Sequence, residues 1–180
     1  GRMLADKGLN ELIAATSSIN AAGIQCVLRL SGFADVENVS AISQAQMAEW
    51  AREPGVEWLG PSDTMEDVYA NVDCVVLPSY REGMPRSLLE AGAMGLPVIA
   101  TNVAGCRHVV QHDFNGVLCE VKSVPSLFDA MKRILMMSAE ERDHIGSNGR
   151  LLVETRFSEH LVVEATMRAI ASAGSLKSAL

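Results

Sequence analysis

Short apolar runs alternate with longer segments of helical periodicity along most of the chain. Runs rich in β-branched and apolar residues predict buried strands at Ile24–Leu30, Val56–Leu59, Val72–Leu77 and Val98–Thr101. Between these runs lie segments such as Leu9–Ala22, in which apolar residues recur every three or four positions and predict an amphipathic helix. This alternation is typical of a parallel sheet covered by helices on both faces. We therefore predict an α/β fold with a doubly wound, Rossmann-like parallel sheet.

Capping residues indicate where the predicted helices begin and end. Gly23 is expected to end the first helix, because glycine is common just past a helix C-terminus. Asn38 or Ser40 is predicted to cap a second helix. Asp63 with Glu66 predicts a capping box for a third helix. The helices predicted from the rest of the pattern are Thr64–Ala70, Pro85–Met94, Cys106–Gln111, Pro125–Met137 (capped by Ser123), Ala139–Thr155 and Glu159–Ala173, with a further strand at Val117–Val121.

Three loops that follow predicted strands are candidates for a ligand site. They contain Gly32, Gly60–Asp63 and Ser79–Glu90. Ligands of doubly wound folds bind at the carboxyl ends of the strands, where such loops share one edge of the sheet. We therefore expect these positions to lie near one another.

The most informative stretch is Tyr80–Pro97, a predicted loop and helix between two buried strands. Pro85 suits the first helical position, where a missing N–H costs nothing. The amides of Arg86–Leu88 would then point outward and form an anion site. Glu82 and Glu90 lie on either side, and an ionised carboxylate can accept hydrogen bonds from two sugar hydroxyls.

The spacing leaves a plainer interpretation open for these charged residues. Glu82 would then be solvated, and Glu90 would pair with Arg86 one helical turn earlier. Arg2 and Lys7 present the same choice. They flank the loop that opens the first helix, where two cations suit a diphosphate, and they also fit solvent-exposed positions.

Composition and charge argue against several classes of function. The chain has 180 residues, about one domain, with a formal net charge of −7 and 4% aromatic residues, so we expect no nucleic-acid partner. Its cysteines and histidines are not spaced as metal ligands, and neither a G-x-G-x-x-G nor a Walker A sequence occurs. We expect no metal and no cofactor. This sequence contains no signal peptide and no apolar run of membrane-spanning length. Cys26 and Cys74 lie in apolar, strand-like runs as buried reduced thiols do, so we predict a cytoplasmic location.

Several short motifs occur in a fixed order along the chain. The stretch Glu82-Gly-Met-Pro precedes Glu90-Ala, and Gly95-Leu-Pro-Val-Ile-Ala-Thr follows. The flanking motifs are Gly1-Arg-Met with Lys7-Gly, Val56-Glu-Trp-Leu-Gly60, Val76-Leu-Pro-Ser79, Gly105-Cys-Arg and Asn115-Gly-Val-Leu. Together they resemble the E-x7-E region and neighbouring turns of retaining glycosyltransferases of the GT-B fold, called family 4 or group 1. The sequence around Glu82 is most similar to those of bacterial capsule, O-antigen and exopolysaccharide transferases.

This resemblance implies a role for each residue of the stretch. Glu90 would bind the ribose hydroxyls of a sugar nucleotide, and Glu82 would face the transferred sugar. Arg2 and Lys7 would neutralise the departing diphosphate in place of a metal ion. The residues along the sugar and the diphosphate would be Gly83, Met84, Pro85, Arg86, Ser87 and Leu88, and those near the base Gly60, Pro61, Ser62 and Asp63.

The implied reaction moves a hexosyl or N-acetylhexosaminyl group from a UDP-sugar, or a related sugar nucleotide, to a glycan or lipid-linked acceptor. Two interpretations from other classes stay open on the same fold. One is a sugar-nucleotide 2-epimerase, in which His108 would join the acid and base groups. The other is a non-catalytic nucleotide-sugar-binding module, since a fold does not by itself give a function.

The resemblance also implies limits for residues 1–180. The family's N-terminal domain binds the acceptor and has no counterpart in this sequence, and the family's first strand would be cut short at Gly1. We therefore expect a C-terminal donor domain that binds nucleotide weakly and transfers no sugar alone, and a longer protein that is peripheral at the cytoplasmic face of a membrane. A last helix at about 159–173 would lose packing and self-associate through Leu161, Val162, Ala165, Met167 and Ile170.

Overall fold

A computed structural model describes residues 1–34 and 37–177, with side chains through residue 171. Its strands are β1 (Arg2–Met3), β2 (Leu28–Ser31), β3 (Phe33–Ala34), β4 (Val56–Gly60), β5 (Val75–Leu77), β6 (Val98–Thr101) and β7 (Gly116–Cys119). The helices are α1 (Leu9–Ala21), α2 (Gln44–Trp50), α3 (Met65–Tyr69), α4 (Arg86–Ala93), α5 (Ala104–Val109), α6 (Val124–Leu135), α7 (Ala139–Arg156) and α8 (Glu159–Lys177). A single 3₁₀ turn, Ala5–Lys7, joins β1 to α1.

All pairings between the seven strands named above are parallel. β1 pairs with β3, β2 pairs with β4, and β5, β6 and β7 form a ladder in that order. This confirms the predicted α/β class and its parallel strands. A cavity of about 1080 Å³ separates β2 from β5, and residues of both strands line it.

Alternate residues of β6 face two different cores, which is the property that makes the fold doubly wound. Ile99 packs in a core with residues of α1, α6 and β7, whereas Val98 and Ala100 pack in a second core with residues of α4 and α5. All four residues of β6 are buried. A strand covered on both faces therefore reads as a continuous apolar run, as the sequence of β6 does.

Two strands are shorter than their apolar runs because neighbouring groups bind the backbone first. The Asn20 side chain bonds to the amide and the carbonyl of Cys26, which holds the chain outside the ladder before β2. The predicted strand at Ile24–Leu30 therefore begins at Leu28. Likewise the Val72 amide donates to the Tyr69 carbonyl at 3.4 Å, and the run that starts there enters the sheet only at Val75.

Two predicted helix caps were wrong, because local side-chain turns delay the helix. The Asn38 carboxamide accepts hydrogen bonds from both the amide and the hydroxyl of Ser40, and helix α2 begins only after Ser43, which caps it. Ser62 accepts from the amide of Thr64, so α3 begins at Met65 and the predicted capping box does not form.

Other helix ends agree with the capping pattern. Gly23 adopts the left-handed backbone, with φ at 78°, just past α1. Ser123 caps α6 as predicted. Helix α7 carries a complete capping box that the sequence analysis missed, formed by Ser138 and Glu141, and these hydrogen bonds lower the pKa of Glu141.

Helix α8 begins at Glu159, as predicted, and continues to Lys177. Every one of its residues from 159 to 171 is exposed, including the five expected to form an apolar patch. Met167 and Ile170 are each 61% exposed. The exposure is thus as expected, and self-association through this helix stays a prediction. Within the described residues, no helix combines the length and the apolar character needed to cross a membrane.

Candidate functional site

The loop after β5 carries Glu82 and packs closely against two glycines. A Cβ on Gly8 would lie 2.2 Å from the Pro78 carbonyl oxygen, and Gly8 has a left-handed φ of 72°. A Cβ on Gly105 would lie 2.3 Å from the carbonyl oxygens of both Glu82 and Gly83. Any side chain at Gly8 or Gly105 would displace this loop, so the two glycines position its backbone.

Glu82 forms an ion pair with Lys7 from the first loop of the chain. Lys7 Nζ lies 2.6 Å from Glu82 Oε1, and the Glu82 side chain is only 13% exposed. The Tyr80 amide also donates to the Asp6 carbonyl at 2.9 Å, which holds the two loops together. The interpretation of Glu82 as a solvated residue was therefore wrong.

Tyr80 makes a second link between this loop and helix α1. Its hydroxyl donates to Glu11 Oε1 at 2.7 Å, and Lys122 Nζ lies 4.6 Å from the centre of its ring. Burial, together with the Glu11 carboxylate, raises the pKa of Tyr80 to about 12, so the hydroxyl stays protonated and donates. The residue before Tyr80 is held through its backbone, because Thr101 Oγ1 donates a hydrogen bond to the Ser79 carbonyl.

Glu90 on α4 is held by a tyrosine that no sequence motif indicated. The Tyr69 hydroxyl donates to Glu90 Oε2 at 2.9 Å, which ties α3 to α4. Tyr69 is buried. Its burial, and to a smaller extent this hydrogen bond, raises the pKa of Tyr69 above its ordinary value. Its only sequence signal is a large polar-tipped aromatic residue at the end of the helix that follows Gly60–Asp63.

The predicted pairing of Glu90 with Arg86 is present but weak. Arg86 Nη2 lies 3.6 Å from Glu90 Oε1, and the Arg86 side chain is 89% exposed. Exposed pairs at i and i+4 contribute about 0.3–0.5 kcal/mol. This contact therefore leaves Glu90 able to accept hydrogen bonds from a ligand.

The start of α4 differs from the prediction by one residue. Pro85 is the N-cap, and the first helical residue is Arg86. The Leu88 amide donates to the Pro85 carbonyl at 3.1 Å, so it is already used within the chain. The outward amides of the first turn are therefore those of Arg86 and Ser87, which precede any intrahelical acceptor.

The structure brings some of the predicted site residues together and leaves others apart. The cavity between β2 and β5 is lined by Arg2, Lys7, Tyr69 and Ser87 along with many core residues. Most of its wall belongs to strand edges and core side chains, so we regard it as a gap in the sheet that the candidate site borders. Gly83 and Met84 lie on the exposed side of the Glu82 loop.

The Gly60–Asp63 loop reaches the site only indirectly. It follows β4 and leads into α3, whose last residue, Tyr69, contacts Glu90. Pro61 and Asp63 are exposed, and Gly60 has a left-handed φ of 70°. Among the described contacts, none joins this loop to Glu82 or Glu90 directly.

Two further residues near the site have clear environments. Cys106 is fully buried, and burial with the nearby Glu82 charge raises the pKa of its thiol to about 11, so it is neutral at physiological pH. His108 is exposed on α5, and the described contacts join it to neither glutamate.

In the part of the chain that the structure describes, no group of three or more His, Cys, Asp or Glu side chains could hold a metal ion.

Comparison with known proteins identifies the family of the chain. The family model described as glycosyl transferases group 1 matches residues 1–152. A capsular polysaccharide biosynthesis glycosyltransferase, CapM of Staphylococcus aureus, is 30% identical over 164 residues, which are 91% of this chain and 42% of that protein.

Solved structures show the same fold. Sucrose-phosphate synthase of Thermosynechococcus elongatus superimposes with a TM-score of 0.82 at 27% identity, covering 96% of this chain and 44% of that one. HepE of Anabaena, crystallised with UDP, gives a TM-score of 0.84 at 23% identity, covering 96% of this chain and 47% of that one. The chain spans less than half the length of each of these proteins. Because the family model covers most of the chain, the chain belongs to the group 1 glycosyl transferases, a family of enzymes.

Proposed function

We propose that this chain is the donor-binding domain of a retaining glycosyltransferase. The substrate would be a UDP-sugar, from which a hexosyl or N-acetylhexosaminyl group moves to a glycan or lipid-linked acceptor in surface polysaccharide synthesis. The observation that carries this proposal is the pair of positioned carboxylates around the start of α4, with Lys7 at Glu82 and Tyr69 at Glu90.

The start of α4 supports binding of the diphosphate. The outward amides of Arg86 and Ser87 lie at the N-terminus of α4, which is the positive end of the helix dipole. This arrangement suits a phosphate. Arg2 and Lys7 lie along the same cavity and would supply positive charge without a metal ion. Negative charge builds on the diphosphate as the glycosidic bond breaks, so preorganised donors and cations lower the barrier.

The two carboxylates support binding of the two polyol parts of the donor. Glu90, held by Tyr69, would accept hydrogen bonds from the ribose hydroxyls, and Glu82 would face the transferred sugar. Gly83, Met84 and Pro85 would then lie along that sugar and the β-phosphate, and Gly60–Asp63 near the base. We propose front-face displacement in which Glu82 orients the sugar; a trapped covalent glycosyl adduct on Glu82 would contradict it.

The names of similar proteins support the same substrate class. CapM is named for capsular polysaccharide biosynthesis, and HepE was crystallised with UDP and also with UDP-glucose. We propose that the acceptor binds to a separate domain of a longer cytoplasmic protein, at the membrane face. Residues 1–180 alone would then bind the donor and transfer no sugar.

A thermal-shift panel tests the proposed substrate class. The 180-residue chain is heated with UDP, GDP, ADP or CMP at the same concentrations. A ligand present at 100 times its Kd stabilises the folded state by about 2.7 kcal/mol, which raises the melting temperature by several degrees. We expect the largest rise with UDP. No rise with any of the four nucleotides would contradict a nucleotide-sugar site.

Replacing Tyr69 by phenylalanine tests whether this residue positions Glu90. The change removes one hydrogen bond to a charged group, so we expect UDP to bind about tenfold more weakly. The preference of the chain for UDP over 2′-deoxy-UDP should also fall, because the ribose hydroxyls would meet a mobile carboxylate. Isothermal titration calorimetry measures both quantities.

The chain offers a matched control for this substitution. Tyr80→Phe makes the same chemical change at a residue that contacts Glu11 and not Glu90. We expect its preference for UDP over 2′-deoxy-UDP to equal that of the wild type. If Tyr69→Phe also keeps that preference, Tyr69 has only a structural role.

A further inference from the structure

We propose that the Lys7–Glu82 ion pair makes the site discriminate against a nucleoside diphosphate that carries no sugar. This inference rests on the proposed function and adds a selectivity to the same site. The ion pair would favour the intact donor over the spent product, although both carry the same base, ribose and diphosphate.

The first step is that Glu82 depends on Lys7 for its polar partner. Its carboxylate is 13% exposed and lies 2.6 Å from Lys7 Nζ. The backbone of Glu82 cannot retreat easily, because its carbonyl packs against Gly105 with no room for even a Cβ. An enclosed carboxylate that loses its partner pays the full desolvation penalty of a charged group.

The second step is that a bound diphosphate competes for the same ammonium group. Lys7 borders the cavity that also includes Arg2 and Ser87, next to the outward amides of α4. A diphosphate carries more negative charge than one carboxylate, so it draws Lys7 Nζ away from Glu82. Binding of any nucleoside diphosphate therefore weakens the ion pair.

The third step separates the two ligands. An intact donor brings sugar hydroxyls, which can donate to Glu82 and replace the ammonium group. A nucleoside diphosphate without sugar offers the enclosed carboxylate no such replacement. A site built to hydrogen-bond a substrate group rejects an analogue that lacks the group, because the polar partner in the protein stays unpaired.

This selectivity has a consequence for turnover. After transfer, the spent diphosphate holds Lys7 while Glu82 has lost the sugar. Re-formation of the Lys7–Glu82 pair then favours departure of the product. Product release often limits the rate of enzymes with enclosed sites, so the ion pair would speed the return to the free state.

Calorimetric titration of the wild-type chain and of Glu82→Gln tests the inference. Glutamine keeps the shape of the side chain and removes its charge, so Lys7 is released before ligand binds. We expect UDP to bind about tenfold more tightly to the variant. The sugar nucleotide for this titration is the one that the wild type binds most tightly among UDP-glucose, UDP-galactose and their two N-acetylhexosamine counterparts. We expect Glu82→Gln to bind it no more tightly than the wild type does.

Two other variants show where the effect arises. Glu90→Gln should weaken UDP and the sugar nucleotide by equal factors, because both carry the ribose that Glu90 is proposed to bind. In a Lys7→Gln background, Glu82→Gln should no longer tighten UDP, because no ammonium group remains to be released. Simple repulsion between Glu82 and the diphosphate would instead persist in that background.

Each outcome has a defined meaning. Equal changes in both ligands on Glu82→Gln, or a gain for UDP that persists without Lys7, would overturn the inference and leave the proposed function intact. Failure of the wild type to bind any of these nucleotides would contradict the proposed function, and the inference would fall with it. If Glu82→Gln does not fold, Glu82→Asp replaces it, because the shorter side chain weakens the contact with Lys7. This variant should raise the affinity for UDP relative to that for the sugar nucleotide, by a smaller factor.

Discussion

Replacement of Glu90 by alanine is expected to weaken UDP binding by about a hundredfold, because hydrogen bonds to a charged group contribute about 1.5–3 kcal/mol each. The substitution removes the carboxylate proposed to hold the ribose hydroxyls. It also leaves the buried Tyr69 hydroxyl, now 2.9 Å from Glu90 Oε2, without its acceptor. Calorimetric titration with UDP measures the loss.

Helix α7 supplies a control of the same residue type for Glu90→Ala. Glu154 forms an i and i+4 ion pair with Arg150 at 2.8 Å, and its side chain is 58% exposed. Glu154→Ala should leave UDP binding unchanged, since surface pairs contribute little.

Unchanged binding of UDP by Glu90→Ala would remove Glu90 from the proposed site. In a longer protein that contains the acceptor domain, sugar transfer retained by Glu90→Ala would support the non-catalytic interpretation of this domain.

Replacement of Gly146 by alanine is expected to lower the free energy of unfolding by about 3 kcal/mol, at the upper end of the usual range for overpacking. A Cβ on this residue would lie 1.8 Å from the Gly95 carbonyl oxygen and 2.6 Å from its carbon. Both atoms belong to the backbone, so the helix α7 or the turn after α4 must shift. Urea denaturation of the two proteins measures the difference.

Gly149→Ala is the matched control, one turn later on the same helix. The nearest atom to its new Cβ would be the Gly92 Cα at 3.6 Å, which is an ordinary contact. Alanine is favoured over glycine within helices by about 1 kcal/mol, so this variant should be neutral or more stable. A similar loss in both variants would show that glycine itself, and not close packing at Gly146, is required in α7.

The packing of α7 also affects the candidate site. Arg150 donates to the carbonyl of Ala93 at 3.0 Å, and a Cβ on Gly92 would meet the Gly149 carbonyl oxygen at 3.3 Å. These contacts hold α7 against α4, the helix that carries Glu90. We therefore expect Gly146→Ala to weaken UDP binding as well as stability.

Much of the fold could be predicted because its signals are local. The buried strand at Val98–Thr101 agrees with the prediction in both ends, and α6 begins after Ser123 as its capping residue indicates. Helix α2 shows where local signals fail. Asn38 and Ser40 are both good caps, but they bond to each other, and Ser43 takes the role instead.

The candidate site was predicted in part for the same reason. Glu82, Glu90 and the start of α4 lie within one short stretch, so spacing and motif could indicate them together. Their partners could not be found this way. Lys7 is 75 residues from Glu82, and Tyr69 is 21 residues from Glu90 and belongs to another helix.

By itself, the sequence determined the alternation of strands and helices, the carboxyl-end position of the Glu82 loop, and one carboxylate before α4 with a second within it. These follow from periodicity and capping, which act over a few residues. Only the tertiary structure decided that Glu82 is enclosed and paired, and that Glu90 is held by Tyr69. The reason is that both contacts join segments far apart in sequence: Lys7 reaches Glu82 across loops that pack closely at Gly8 and Gly105, and Tyr69 reaches Glu90 from another helix.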